Sequence, residues 1–407
     1  MKGSDKMIIH GDVAFMIIST VLVLIMTPGL AFFYGGLVEK KNSLTIMFQC
    51  FISIGVVTIL WIFGGFGMVF GNDIGGIIGN PLDYFAFMGM DYLINPEYSS
   101  HIPFLMYFMY QLMFAIITAP LMTGAFANRI TISGWIKVLI LWMILIYFPV
   151  AHWVWGGGFL AKMGFVDYAG GAVIHITAGF GCLGGLRVLG SRKVKNEHGP
   201  FNLALVGIGA GLLLFGWFGF NAGGSLAAAD TATIVFTNTA VASAFGMITW
   251  CILHYIEHKS FSFLEMIVGA VAGLATITPA AGYVTPYSSI FIGILASIVC
   301  FFCVILERKL FDDALDVWGT HGMGGFLGTL LIGVFANSTI NGIQAGFKQF
   351  LIQLIGAVII GIYSIVVTYI IFVVVDKIKS IKVSEEIQRD GLDKAFFGET
   401  VMDLRDK

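Results

Sequence analysis

A chain of 407 residues with 58% hydrophobic and only 11% charged side chains departs far from soluble domains, in which about a quarter of residues are charged. Its formal net charge of -2 lends no support to nucleic acid or acidic partners. Apolar stretches of about 20 residues, enough to cross a hydrocarbon core of about 30 Å, recur along nearly the whole length and leave nothing for a large soluble domain.

Taken in chain order, apolar runs bounded by polar or Pro/Gly turns predict spans at 12–38, 43–70, 102–128, 133–151, 170–190 and 201–221. Five more follow at 231–256, 262–282, 287–306, 317–337 and 346–376. The beginning of the chain lacks the basic region, short apolar core and small-residue cleavage site of a signal peptide, so the first run is expected to stay as a span. Eleven spans put the termini on opposite sides, and the positive-inside rule selects the orientation. With the N-terminus outside, all but Lys2, Lys6, Lys162 and Lys348 of the 22 Lys and Arg residues fall on the cytoplasmic side. The loop 71–101, with Asp73, Asp83, Asp91 and Glu97 and no base, then lies outside. The eleventh run, about 46 Å long at about 1.5 Å per residue, exceeds the bilayer core and must tilt or protrude.

Gly207/Gly211, Gly269/Gly273 and Gly324/Gly328 are small-xxx-small spacings that let helices approach closely in lipid. All five cysteines sit in apolar segments and read as packing residues; Cys300 and Cys303 form a C-x-x-C without the surroundings of a redox or zinc motif.

Ionisable groups at membrane depth are costly, and two histidines stand out. His175 lies in Gly-Gly-Ala-Val-Ile-His-Ile-Thr-Ala-Gly of the fifth run and His321 in Trp-Gly-Thr-His-Gly-Met-Gly-Gly of the tenth. One such histidine alone is an ordinary interhelical hydrogen-bonding residue. Spans five and ten, however, close two sets of five, and an odd number per set inverts one half against the other. The two imidazoles are then expected to face each other near midplane. Trp155, with Phe114 and Phe220 near span ends, reads either as interfacial belt or as a cation-π cage at the outer mouth. Asp167, just before span five, is either a solvated loop acid or an anchor that biases cations toward that mouth. A histidine–carboxylate metal enzyme is disfavoured: there is no H-E-x-x-H, and Asp167 stands eight residues before His175. No cofactor and no metal are expected.

Several long motifs occur in order. They are Gly29-Leu-Ala-Phe-Phe-Tyr-Gly-Gly-Leu-Val38 with Lys40-Lys41-Asn42, Asp167-Tyr-Ala-Gly-Gly171 with His175, Gly216-Trp-Phe-Gly-Phe-Asn-Ala-Gly223, Thr237-Asn-Thr239, Ile277-Thr-Pro-Ala280, and Asp312-Asp313 before His321-Gly322. On these the chain resembles, almost end to end, the Amt/Mep/Rh ammonium transport family, and within it the Amt branch. The resemblance implies an all-α polytopic fold of eleven transmembrane helices with an inverted five-plus-five repeat (about 12–190 and 201–337) and a long tilted eleventh helix (about 346–376). It implies a homotrimer with one pore per subunit in the cytoplasmic membrane, carrying ammonium or ammonia and, with it, methylammonium. By position, Trp155 and Phe114 would line an outer recruitment site, Phe114 and Phe220 would stack as a gate, Asp167 would support recruitment, and His175 and His321 would be the twin histidines. A serine of the family's bacterial pattern falls on Gly224 here, with Ser225 one residue later. Residues 1–376 would form the transport domain and 377–407 a cytoplasmic regulatory tail, whose Gly391-Leu-Asp393 and Gly398-Glu399 resemble a motif associated with PII-type nitrogen regulatory proteins. Phe397 and Met402 replace that motif's usual histidine and tyrosine. An ammonium sensor signalling through the tail is the alternative to a transporter.

Overall fold

The computed structural model describes residues 7–90, 92–194 and 199–401; Met402 lies outside them. Among the described residues, nine helices are long and apolar enough to cross a membrane: His10–Leu37, Lys40–Phe70, Phe104–Leu121, Ile132–Met163, Gly171–Leu189, Leu203–Ser225, Asp230–His258, Pro286–Leu310 and Phe347–Ile378. The shorter Phe263–Ile277 and the continuous helix over 318–335 complete eleven passes, spans one to eleven in chain order. Helices are the only open-ended way to satisfy every backbone N–H and C=O in lipid. Hydroxyls within them are satisfied the same way: Thr20, Thr118, Thr177 and Thr239 donate to carbonyls one turn back.

Two expected spans are shorter than the apolar runs suggested. Span three stops at Leu121 rather than near 128, and span eight at Ile277 rather than near 282. Each gives way to turns beside a proline, Pro120 or Pro279, because proline withholds an N–H and crowds the preceding turn. These two breaks expose the inverted repeat. The turn after span eight receives the entry to span five, with Tyr168 N–H donating to the Pro279 carbonyl (3.0 Å). The turn after span three receives the entry to span ten, where a Cβ on Gly124 would press on Val317. Spans five and ten themselves cross at Gly179 and Gly322, where a side chain on Gly179 would overlap the backbone of Gly322. Only glycine permits that approach.

Helix packing sorts accordingly: span one lies against span six, spans seven, eight and nine form a second group, and span eleven covers span five. Cys50, Cys182 and Cys300 are buried among these helices and all five cysteines are free.

One face carries the loop 71–101, whose hairpin pairs Asp73–Ile74 with Ile78–Gly79. His152 bolts it to span four, with Nε2 3.0 Å from Asp73 Oδ1 and Nδ1 2.7 Å from the Val69 carbonyl. Lys162 closes on the other Asp73 oxygen at 2.5 Å, and these two partners, Lys162 foremost, pull the Asp73 carboxyl down to about 2.

The opposite face carries the tail, which folds into two short helices over its described residues. Its helices Glu385–Asp390 and Leu392–Phe397 dock on span ends. Asp393 accepts from Leu44 N–H (2.9 Å) and from the N–H and hydroxyl of Thr45 (2.7 Å each), capping span two. Lys41 Nζ donates to the Arg389 carbonyl (2.7 Å), Leu392 N–H to Asn42 (3.0 Å) and Lys193 N–H to Gln388 (3.1 Å). Phe397 packs on Phe48 with ring centroids 5.1 Å apart.

Candidate functional site

Each histidine stands in a distorted first turn. Span five opens as a π-helix over Gly171–Ile176 and span ten over Trp318–Gly322, a geometry that re-aims side chains and recurs at functional sites. A carboxylate pins each start. Asp167, buried, accepts four backbone hydrogen bonds, from Gly170 (2.9 Å), Gly171 (2.8 Å), Ala172 (2.7 Å) and Val173 (3.0 Å). Asp313, also eight residues before its histidine, accepts from Trp318 N–H at 2.9 Å. Burial pushes the Asp313 carboxyl up to about 6.

The result is a facing pair. Nδ1 of His321 lies 3.2 Å from Nδ1 of His175, the ring planes are 21° apart, and the residues are 6% and 2% exposed. A bond between two Nδ1 atoms needs a hydrogen on one and a lone pair on the other. Two neutral rings so joined present one Nε2 acceptor and one Nε2–H donor. The Nε2 of His175 has no protein partner.

Neighbours fix the ring planes. The Trp217 indole stacks on His175 (centroids 5.5 Å, 20°), and its N–H donates to Thr278 at 2.9 Å. Thr278 in turn bonds Asn221 (3.3 Å), which bonds Thr239 (3.0 Å). A closed polar chain of this kind leaves the indole one orientation.

Three cavities follow one another along the histidine axis. On the loop face a vestibule of about 680 Å³ is bordered by Trp155, Phe114, Asp167 and Tyr168. A void of about 10 Å³ follows, lined by Phe220, Trp217, Leu213, Ile117 and both histidines. On the tail face a cavity of about 180 Å³ again borders His321. Between the first two, Phe114 and Phe220 stack at 4.5 Å and 33°. Phe114 meets Trp155 edge-on at 6.0 Å and 88°, and the Trp155 indole donates to the Asp167 carbonyl at 2.9 Å. Tyr110 holds the Phe220 carbonyl at 2.8 Å.

Trp155, Phe114, Phe220, Asp167, His175 and His321 are therefore brought together on one axis. Ser225 is not among them. Its hydroxyl donates toward the Ala222 and Ala227 carbonyls (2.8 and 2.6 Å), while Gly224 borders the vestibule in its place. Sequence reasoning missed Trp217 as the plate under His175 and Asp313 as the counterpart of Asp167. The second carried a signal, an aspartate at the same spacing before each histidine. Among the described residues, no group of three His, Cys, Asp or Glu side chains could hold a metal ion.

The profile of the Ammonium Transporter Family matches residues 14–402. An ammonium transporter of Aquifex aeolicus is 42% identical over 409 residues, spanning 99% of this chain and 96% of that protein. The crystal structure of Candida albicans Mep2 superposes with TM-score 0.86 and 32% identity over 93% of this chain and 87% of its own. A structure described as a sensor Amt protein gives TM-score 0.88 and 27% identity over 95% and 98%. With its eleven passes and paired histidines, this multi-pass membrane protein belongs to the Ammonium Transporter Family.

Proposed function

We propose that the chain recruits ammonium at the aromatic vestibule, strips one proton and conducts ammonia past His175 and His321. The observation that carries this reading is the Nδ1–Nδ1 contact of two buried imidazoles between two cavities. A bare cation entering low dielectric costs tens of kcal/mol by Born estimates, several after relaxation. Loss of a proton by an acid of pKa about 8 to 10 at neutral pH costs roughly 1.4 kcal/mol per unit, or about 2 to 4 kcal/mol. Deprotonation is the cheaper path, and potassium has no proton to lose. The path therefore selects by chemistry rather than by size.

Trp155 and Phe114 supply faces for a cation, worth up to about 2 kcal/mol when desolvated. Both oxygens of Asp167 are committed to backbone N–H groups, so it serves recruitment by holding the turn on which Trp155 and the span-five entry rest. The relayed proton either crosses through the imidazole pair, moving net charge, or stays outside. The charge bias supports a cytoplasmic tail face, and membership of the family supports 1–376 as the transport domain, 377–407 as a regulatory tail and a homotrimer in the cytoplasmic membrane. The docked tail helices present the surface that a PII-type protein would engage.

A sensor that binds ammonium and signals through the tail is the second reading, favoured by the tail's hydrogen bonds to the ends of spans two and five. Uptake of labelled methylammonium by cells lacking their own carriers separates the two: transport predicts saturable uptake on expression, and a sensor predicts none.

A further inference from the structure

The cavity on the tail face holds a carboxylate with no part in the path from Trp155 to His321. Glu265, in the first turn of span eight, lines it together with Phe33, Tyr34, Asp316, Arg308 and His321. Arg308 grips Asp316 with two nitrogens, its Nε 2.9 Å from Oδ1, so these two charges offset each other. Glu265 enters no ion pair among the described residues. The indole of Trp250 holds Oε2 at 2.7 Å, which orients the carboxylate, and Oε1 takes no hydrogen bond among the described residues. Facing the same space is His321, 6% exposed, whose Nδ1 is taken by His175 and whose Nε2 has no hydrogen-bond partner among the described residues. An oriented carboxylate, an imidazole whose Nε2 accepts when the shared hydrogen sits on His321 Nδ1, and two aromatic rings around about 180 Å³ match a small cation that carries N–H groups.

We propose that Glu265 makes this cavity a second cation site, which holds the ammonium-type cation formed as the neutral amine leaves His321. The proposal rests on the transport reading. The amine takes its proton from water on the open side, forming one N–H bond and leaving hydroxide to the bulk, so no protein group is consumed. A cation parked beneath His321 obstructs the next amine. Cytoplasmic ammonium therefore slows unidirectional uptake, through a residue remote from the recruitment vestibule.

The test uses the full chain in oriented right-side-out vesicles: initial uptake of labelled methylammonium against rising internal ammonium chloride. Glu265→Gln is expected to raise the internal concentration that halves uptake about tenfold, the loss of about 1.4 kcal/mol of binding, with the external half-saturation unchanged. Glu265→Asp restores part of the sensitivity, and Trp250→Phe, which frees the carboxylate, shifts it in the same direction as Glu265→Gln. Should Glu265→Gln not assemble, Trp250→Phe carries the test. A parent protein that transports, with variants showing its own internal dependence, overturns the second site alone; a parent that carries no methylammonium overturns the transport reading with it.

Discussion

The Nδ1 atoms of His175 and His321 stand 3.2 Å apart, contributed by helices that enter the molecule from opposite faces and cross at Gly179 and Gly322. One hydrogen shared between two Nδ1 atoms fixes complementary tautomers, so the pair presents one Nε2 acceptor and one Nε2–H donor. Replacing His175 by Ala removes the partner and opens a polar gap. Uptake of labelled methylammonium into proteoliposomes carrying His175→Ala is expected to fall at least about tenfold, the worth of one hydrogen bond of about 1.4 kcal/mol in the conducting state, and potassium exclusion to weaken. Parent-like uptake with potassium still excluded would remove the histidines from the mechanism.

Asp167 satisfies four N–H groups that the π-helical start of span five leaves open. Loss of a helix cap costs about 0.5–2 kcal/mol, and buried donors left bare add to that. Asp167→Ala should lower the thermal midpoint in detergent and abolish uptake, whereas Asp167→Asn, which keeps an acceptor, should retain partial uptake. Equal behaviour of the two variants argues against capping as the residue's role.

The carboxyl of Asp73 is held down to about 2, chiefly by Lys162 and then by His152. A depressed acid stabilises the folded arrangement fully above its ordinary value of 3.8 and loses that contribution as pH falls toward about 2. The anchor of loop 71–101 is therefore constant from pH 5 to 8 as far as this group is concerned. Limited proteolysis should therefore cut the loop more readily in Asp73→Asn than in the parent at every pH across that range. Equal cutting of the two at any pH in the range contradicts the assignment.

Asp393 is buried where it caps span two. Asp393→Ala strips three hydrogen bonds, and amide exchange at Leu44 and Thr45 should accelerate by at least about tenfold if opening becomes easier by about 1–3 kcal/mol. Unchanged exchange at both amides would show that the tail does not dock through this residue.

Much of the fold and the site is legible in the sequence, because lipid narrows what a chain can do. It demands long apolar helices, so spans such as 43–70 and 346–376 announce themselves within a few residues of Lys40–Phe70 and Phe347–Ile378. The histidines stand out because an ionisable side chain among glycines at membrane depth is too costly to keep without a partner or a task. What hydropathy cannot register is backbone distortion. The π-turns at Trp61–Gly65, Met143–Tyr147, Gly171–Ile176 and Trp318–Gly322 lie inside runs whose residues are equally apolar in regular helix. The early ends of spans three and eight escape for the same reason, since 122–128 and 278–282 are apolar turns buried against other spans. Ser225 and Gly224 show a further limit: a motif places residues in order, and only the fold decides which of two neighbours faces the vestibule.

On the proposed mechanism, a path lined by Phe114, Phe220, His175 and His321 passes the amine and rejects a cation with no proton to lose. Labelled methylammonium uptake and current, recorded together in proteoliposomes with a large excess of potassium, test it most directly. The expected result is saturable uptake that potassium neither competes with nor accompanies. Potassium current through the same protein, or competition for uptake in proportion to its concentration, would contradict it.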